Sequence, residues 1–327
     1  MSQRDLMPAV FTPMLATAVV LPFDSDEFLF EVKWDGVRTL AFCEPGRTRL
    51  FSRSKREVTH QYPEFTHLHE LLKCETAVLD GEIVALDTAG KPSFERMQQR
   101  IGLTRPSDVR RGTETVALDF VVFDLVFRDG DWLGSRPLQE RLSSLVGSVD
   151  FGGRVLPSQT VPSSGIALFE AAAARDLEGI VGKRVTSTYM PGKRSKDWLK
   201  IKVVHTLDCV IGGWTPGAGY RSGAMGALLL GVQAEDGLRY IGNVGTGFTD
   251  RSLADVHSQL KAIETQASPF SELISGKNNH WVSPEMVCEV EYREITSGFR
   301  LRAPSFKRLR SDKSASDCHL SQELGRS

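Results

Sequence analysis

Short runs that alternate apolar and polar residues, cut every few positions by glycine or charged turns, fill most of this 327-residue sequence and confine it to folds built on β-sheets. Phe28–Trp34, Val37–Cys43 and Arg49–Ser52 read as a strand meander. Ala77–Leu86 reads as another strand, with Asp80 and Glu82 on one face and Leu79, Gly81 and Ile83 on the other. Thr115–Phe127 is strongly β and ends in an Arg128-Asp129-Gly130 turn, and Leu199–Val203 returns to strand. Helical stretches are few: Ser93 is placed to cap a helix over Phe94–Ile101, and Pro137–Val146 and Gly165–Arg175 carry helical patterns.

After Val203 the character changes. Leu207–Trp214, Ala227–Val232, Leu238–Val244, Met286–Ile295 and Phe299–Leu301 read as short strands, with one helix at Ser252–Glu264. Gly212-Gly213, Pro216-Gly217-Ala218-Gly219 and Gly245-Thr246-Gly247 separate them, a pattern that suits a small barrel of the OB type. The expectation is an α+β chain: a mixed domain over residues 1–203, a barrel over 204–314, and a disordered polar tail over 315–327. With 41% hydrophobic and 25% charged residues, composition is that of an ordinary globular chain of about two domains. The net charge of -1 gives a nucleic-acid partner no global support, so any such surface must come from local clustering. The five cysteines are scattered and never spaced as C-x-x-C, which argues against a disulfide framework or a zinc site and for a reducing compartment. Ala16-Thr17-Ala18 imitates a signal-cleavage site, but Asp5, Pro8 and Pro13 interrupt the segment before it. No run approaches the roughly 18 apolar residues of a membrane span, and the expected location is the cytoplasm.

The segment Glu31-Val32-Lys33-Trp34-Asp35-Gly36-Val37-Arg38 carries the strongest chemical signal. On a strand, Glu31, Lys33 and Asp35 share one face, and an unpaired ammonium buried there would be costly. Taken alone, these eight residues are read equally well as a salt-bridged edge strand. Other islands follow in order. Leu79-Asp80-Gly81-Glu82 supplies carboxylates, and Phe123-Asp124 offers an aromatic face within an apolar strand. Glu178-Gly179-Ile180-Val181-Gly182-Lys183 flanks a strand with an acid and a base. Trp198-Leu199-Lys200-Ile201-Lys202 puts two lysines on one strand face, which suits a polyphosphate.

In this order the islands resemble motifs I, III, IIIa, IV and V of the covalent nucleotidyltransferase superfamily of DNA ligases, RNA ligases and mRNA capping enzymes. The chain is most similar to bacterial ATP-dependent DNA ligases with only a catalytic core, a group that includes the ligase domain of the non-homologous end-joining ligase. The likeness runs from Pro13 to Lys313 and takes in Gly212-Gly213-Trp214-Thr215-Pro216-Gly217, Gly226–Gly231, Val244–Phe248 and Arg302-Ala303-Pro304-Ser305-Phe306. The last opens motif VI, which closes with Arg310-Ser311-Asp312-Lys313; Ala303 stands where relatives often carry histidine.

The resemblance implies that Lys33 attacks the α-phosphorus of ATP to give a lysyl-AMP, that AMP passes to a 5′-phosphate in DNA, and that a 3′-hydroxyl then displaces it. Lys33 must attack as the neutral amine. Glu31 and Asp35 beside it favour the ammonium, and Arg38, Lys200, Lys202, burial and a divalent metal oppose them. The resemblance further implies ATP contacts from Glu31, Arg38, Arg53, Glu82, Phe123, Lys183, Lys200 and Lys202, with Phe123 stacked on adenine. Glu82 and Glu178 would ligate Mg2+ or Mn2+, and Arg310, Asp312 and Lys313 would orient the leaving pyrophosphate. The implied partners are nicked or broken duplex DNA and repair proteins, and the implied state is a monomer. An RNA-joining or capping enzyme and a non-catalytic DNA-end binding module are the competing readings. The missing zinc cysteines and helix-hairpin-helix repeats speak against an NAD-dependent ligase. His67-x-His69 reads as surface helix, and Arg105, Arg110 and Arg111 as a polar loop.

Overall fold

The computed structural model describes residues 7–217, 224–276 and 278–319. The chain divides into two compact units, Met1–Val203 and Val204–Ser327. In the first unit the strands are, in chain order, β1 Leu15–Val19, β2 Ser25–Val32, β3 Val37–Glu44, β4 Arg47–Ser52, β5 Ala77–Ala85, β6 Leu118–Arg128, β7 Asp131–Trp132, β8 Val155–Pro157, β9 Thr160–Ser163, β10 Gly179–Arg184 and β11 Arg194–Lys202. The helices are α1 Phe94–Gln98, α2 Pro106–Thr115, α3 Leu138–Ser148 and α4 Gly165–Ala174. One sheet runs β1-β11-β10-β2-β9, the other β4-β3-β5-β6-β7 with β8 added beside β6.

Alternation sorts side chains into layers. On β5, Ala77, Leu79, Ile83 and Ala85 enter one core together with Phe120 and Val122 of β6 and, from the segments above, Tyr62, Phe65, Met97 and Leu145. Val78 of β5 and Phe123, Val126 and Phe127 of β6 face the other way, where they meet Met14, Tyr189 and Trp198. That second layer lies between the two sheets. Phe28 and Phe30 of β2 form a third core with Ala172 of α4, on the outer face of the first sheet. Between Val78 and Gly81 the pairing of β5 with β6 shifts register, and a Cβ on Gly81 would meet the Val121 carbonyl oxygen at 2.5 Å. Glycine is required there.

Helix α1 starts where Ser93 predicts, its side chain accepting from the Arg96 amide, but it ends at Gln98 rather than Ile101. The expected loop around Arg105, Arg110 and Arg111 is helix α2, entered through Pro106 at its first turn and anchored by Val109 and Gly112.

The second unit contains β12 His205–Pro216, β13 Met225–Ala234, β14 Gly237–Val244, α5 Asp250–Ala262, β15 Glu264–Thr265, β16 His280–Val282, β17 Val287–Tyr292 and β18 Ser305–Leu309. The sheet runs β14-β13-β12-β16-β15, while β17 pairs with both β12 and β18. These strands share one core with Leu253, Val256 and Leu260 of α5. Phe299–Leu301 is no strand: Leu301 makes a single bridge to Ile295. The strand lies further on, at β18, where the basic residues of Ser305–Leu309 hide the alternation.

The expected disorder of 315–327 fails for its first five residues. Ala315–Asp317 form a 3-10 turn, Cys318 is fully buried against Val210, Leu229 and Val287, and the Gln233 amide donates to the Cys318 carbonyl. A thiol that packs as a small apolar group supplies the anchor which the polar composition conceals. The rest of the expected tail, residues 320–327, lies outside the described residues. No helix among the described residues is long and apolar enough to cross a membrane.

Candidate active site

The inter-sheet layer opens into a cavity of about 210 Å³. Register builds its floor. Glu31 of β2 stands opposite Val181 of β10, which stands opposite Lys200 of β11, and in the next row Leu29, Lys183 and Trp198 are neighbours. Strand β2 stops at Val32, so Lys33 is not inside a strand as the sequence suggests. Its amide still donates to the Gly179 carbonyl at 2.9 Å, and the chain then crosses to the other sheet to begin β3. Gly36 makes that crossing possible, because a Cβ there would lie 2.1 Å from the Ile83 carbonyl oxygen.

The Lys33 side chain is 21% exposed and donates to the Glu178 carboxylate, whose own side chain is 4% exposed. Glu31, expected beside Lys33, instead holds Lys183 at 2.6 Å. Glu82 lines the cavity from β5. Burial, opposed by Arg38 and Lys33 and assisted by Glu178 and Asp80, pushes its carboxyl up to about 7. Glu82 and Glu178 thus lie within each other's field. An oxygen-only pair of carboxylates whose mutual repulsion a cation would relieve fits a hard divalent ion such as Mg2+ or Mn2+.

The other wall is aromatic and cationic. The Phe123 ring has the Arg38 guanidinium 4.4 Å and the Lys183 ammonium 4.2 Å from its centroid. Lys183 also lies 4.4 Å from the Trp198 ring and donates to the Phe123 carbonyl at 3.3 Å. Arg38 is held by both oxygens of the fully buried Asp80, at 2.6 Å each, and Asp80 accepts a further bond from the Tyr189 hydroxyl at 2.5 Å. Burial works against the Arg38 charge, but Asp80 prevails and holds the guanidinium firmly protonated. The Lys200 ammonium is shifted the opposite way, lowered by burial and then by the Lys33 and Arg194 charges. Arg53 lines the cavity from the turn after β4. A second cavity of about 530 Å³, lined by Ser52, Ser54, Phe94 and Ile101, shares Arg38, Arg53 and Glu82 with the first.

The structure therefore brings together Glu31, Lys33, Arg38, Arg53, Glu82, Phe123, Lys183 and Lys200 around one cavity, with Glu178 bonded to Lys33. Lys202, at the end of β11, does not line it. Arg310, Asp312 and Lys313 belong to the second unit, where Arg310 bonds to Asp208 at 3.0 Å and to Asp312 at 2.8 Å, and Lys313 lies 3.8 Å from Asp208.

Sequence reasoning missed Trp34, Val181, Arg194 and Trp198 as cavity residues, and Asp80 and Tyr189 as the support of Arg38. Two-residue periodicity could have found Val181 and Trp198, which share strand faces with Lys183 and Lys200. The buried Trp198 indole N–H has no hydrogen-bond partner among the described residues, the mark of a donor left for a ligand or water.

Residues 13–202 match the family model described as ATP dependent DNA ligase domain, and residues 221–313 match ATP dependent DNA ligase C terminal region. The chain is 40% identical over 315 residues to the multifunctional non-homologous end joining protein LigD of Mycolicibacterium smegmatis, covering 95% of this chain and 40% of that protein. It is 36% identical over 305 residues to a DNA ligase of Natronomonas pharaonis, covering 90% and 54%. The chain thus spans from two-fifths to about half the length of these relatives. A solved structure described as mycobacterial DNA ligase D complexed with ATP and MES is 34% identical, with a TM-score of 0.54 over 94% of this chain and 97% of that one. A Lig E DNA ligase structure, 17% identical with a TM-score of 0.61 over 90% and 98%, shares the fold.

Proposed function

The chain belongs to the ATP-dependent DNA ligase family, an adenylation domain followed by an OB domain, and on that premise we propose that it seals breaks in duplex DNA through a covalent adenylate on Lys33. The observation that carries this reading is the convergence of Lys33, with Glu178 bonded to it, and Glu82 on a cavity with an aromatic and cationic wall.

The Lys33 amine attacks the α-phosphorus of ATP, a nitrogen–phosphorus bond forms, and the bond to pyrophosphate breaks. The proton that Lys33 must shed leaves along its contact with Glu178. Val181 and Phe123 line the cavity where a planar base fits, and Arg38, Arg53, Arg194 and Lys200 meet the phosphates. Lys183 acts at a remove, because Glu31 already holds its ammonium and it props the aromatic wall. Glu82 and Glu178 would hold Mg2+ or Mn2+, which when bound supplies positive charge against the polyphosphate. A 5′-phosphate of DNA then takes the AMP from Lys33, and a 3′-hydroxyl displaces AMP to seal the strand. The second cavity, joined to the first through Arg38, Arg53 and Glu82, is the place for the strand ends. Three easier displacements replace one difficult one, and the 5′-phosphate gains a good leaving group.

The names of the relatives point to a role in DNA repair by end joining, and we extend that role to this chain, acting in the cytoplasm as a monomer with other repair proteins. The test is mass analysis after incubation with ATP and Mg2+. One AMP should be localised to the Lys33 peptide and should discharge onto nicked DNA. An adduct on another lysine, or none, overturns the assignment. Sealing of an all-RNA nick as efficiently as a DNA nick would replace it with an RNA ligase.

A further inference from the structure

On the opposite face of the second sheet from the nucleotide cavity, three potential ligands converge: the His67, His69 and Glu70 donor atoms all lie within 4.8 Å of one another. His69 and Glu70 sit on a 3-10 turn, Leu68–Leu71, with His67 as its N-cap residue, and the buried Leu68 pins the turn into the core. In a 3-10 turn positions three apart eclipse, which stacks His67 over Glu70, and His67 Nδ1 lies 3.1 Å from Glu70 Oε1.

His69 is set differently. Its backbone N–H and its ring Nδ1 both lie 3.0 Å from the Thr48 hydroxyl oxygen. The Thr48 hydroxyl hydrogen has its own acceptor in Cys43 Sγ, 3.9 Å away. Thr48 Oγ1 accepts from the His69 amide and hydrogen-bonds the ring Nδ1, which orients the imidazole with Nε2 toward Glu70. In the tautomer with its proton on Nδ1, where Thr48 Oγ1 accepts it, the lone pair lies on Nε2. Nε2 lies 4.0 Å from Glu70 Oε1, the same oxygen that His67 Nδ1 approaches to 3.1 Å, so the potential donor atoms of all three side chains gather at one point. A cation at that point would take the Nε2 lone pair of that tautomer and the carboxylate oxygen together. A hydrogen bond that fixes the far nitrogen of a ligating imidazole is also the usual support of a metal-bound histidine.

We propose that His67, His69 and Glu70 form a site for a divalent transition-metal ion of the zinc, nickel or cobalt class. Two imidazole nitrogens and one carboxylate oxygen suit these ions, whereas Mg2+ prefers oxygen alone. Three protein ligands on one short turn leave the other coordination positions open to water.

The probe is Ni2+ titrated calorimetrically into the untagged full-length chain, with the same titration on His67→Ala, Glu70→Gln and Thr48→Val. His67 and Glu70 are 72% and 64% exposed, so their substitution leaves the fold and nick sealing in Mg2+ unchanged. The wild-type chain should take up one ion saturably, and each exposed substitution should weaken it by roughly 10-fold or more, with Thr48→Val in the 10–100-fold range of lost outer hydrogen bonds. Thermal melting should rise with Ni2+ in the wild type and not in His67→Ala. Binding of equal strength in all four proteins places the ion elsewhere and overturns the site, as does a wild-type titration with no saturable heat.

Discussion

The two units hold their cations in opposite ways. In the second, within the basic string Arg300, Arg302, Lys307, Arg308, Arg310 and Lys313, Arg300 lies 2.8 Å from Glu272, Arg302 2.8 Å from Glu294, Lys307 2.6 Å from Glu291 and Arg308 2.7 Å from Glu289, while Arg310 and Lys313 share Asp208. In the first, Lys33, Lys200, Arg194 and Arg53 gather at one cavity, and Lys200 is lowered by burial and then by its cationic neighbours. Two of those acids, Glu289 and Glu291, alternate along β17 and face the basic strand β18 across an antiparallel pair. A basic run in a sequence is therefore not yet a cationic surface. Unbalanced charge arises where cations from strands distant in sequence meet with too few acids, and such a place binds anions.

The sharpest way to break that contrast is Lys33→Ala. Covalent AMP uptake should fall by roughly 10^4-fold or more, the scale of losing a nucleophile, with the melting temperature little changed; labelled AMP retained by the purified variant would end the assignment. Next come Glu82→Ala and Glu178→Ala, which should slow sealing by about 10^2–10^3-fold. They should do so with plain and with pre-adenylated nicks alike, whereas Lys33→Ala should still seal the pre-adenylated one. Normal pre-adenylated sealing by both carboxylate variants would confine these acids to the first step.

Asp312→Ala and Lys313→Ala test the second unit. If these residues serve only pyrophosphate, ATP-dependent sealing should drop roughly 10–150-fold, the worth of a charged hydrogen bond of about 1.5–3 kcal/mol, and pre-adenylated sealing should not. Point substitution is the right tool, since a chain ending before Ser311 would also lose the buried Cys318. Equal loss in both assays would make the basic string part of the DNA-binding surface.

The smallest effect is on stability. The Glu82 carboxyl is raised from 4.5 to about 7 in the fold, so between those values the folded protein keeps a proton that the unfolded chain has released. Its contribution to stability is present below 4.5 and is lost as pH rises through about 7. Denaturant unfolding at several pH values should show this decline in the wild type and a flatter profile in Glu82→Gln. Identical profiles would mean the raised carboxyl is not Glu82.

Much of this was legible. Alternation placed β3, β4, β5 and β6, Ser93 marked the start of α1, and the order of the charged islands singled out Lys33, Glu82 and Glu178. Pairing was not legible, because it is decided by register. Lys33 meets Glu178 across 145 positions of sequence, while its neighbour Glu31 turns to Lys183 in the adjoining strand. Helix α2 was missed although Pro106 signalled it, since only Val109 and Gly112 of its ten residues are buried and the apolar stripe is too thin to read.

One chain of hydrogen bonds reaches from the cavity to a backbone amide. Met14 N–H donates to the Tyr189 hydroxyl oxygen at 3.2 Å, Tyr189 donates to Asp80, and Asp80 holds Arg38 over Phe123. The Met14 amide, in a fully buried residue, can therefore exchange with deuterium only when that chain opens. Its exchange rate is a built-in gauge of how often Arg38 loses its seat. Occupation of the cavity by a nucleotide should slow it, and Tyr189→Phe should quicken it, with no chemistry taking place at all.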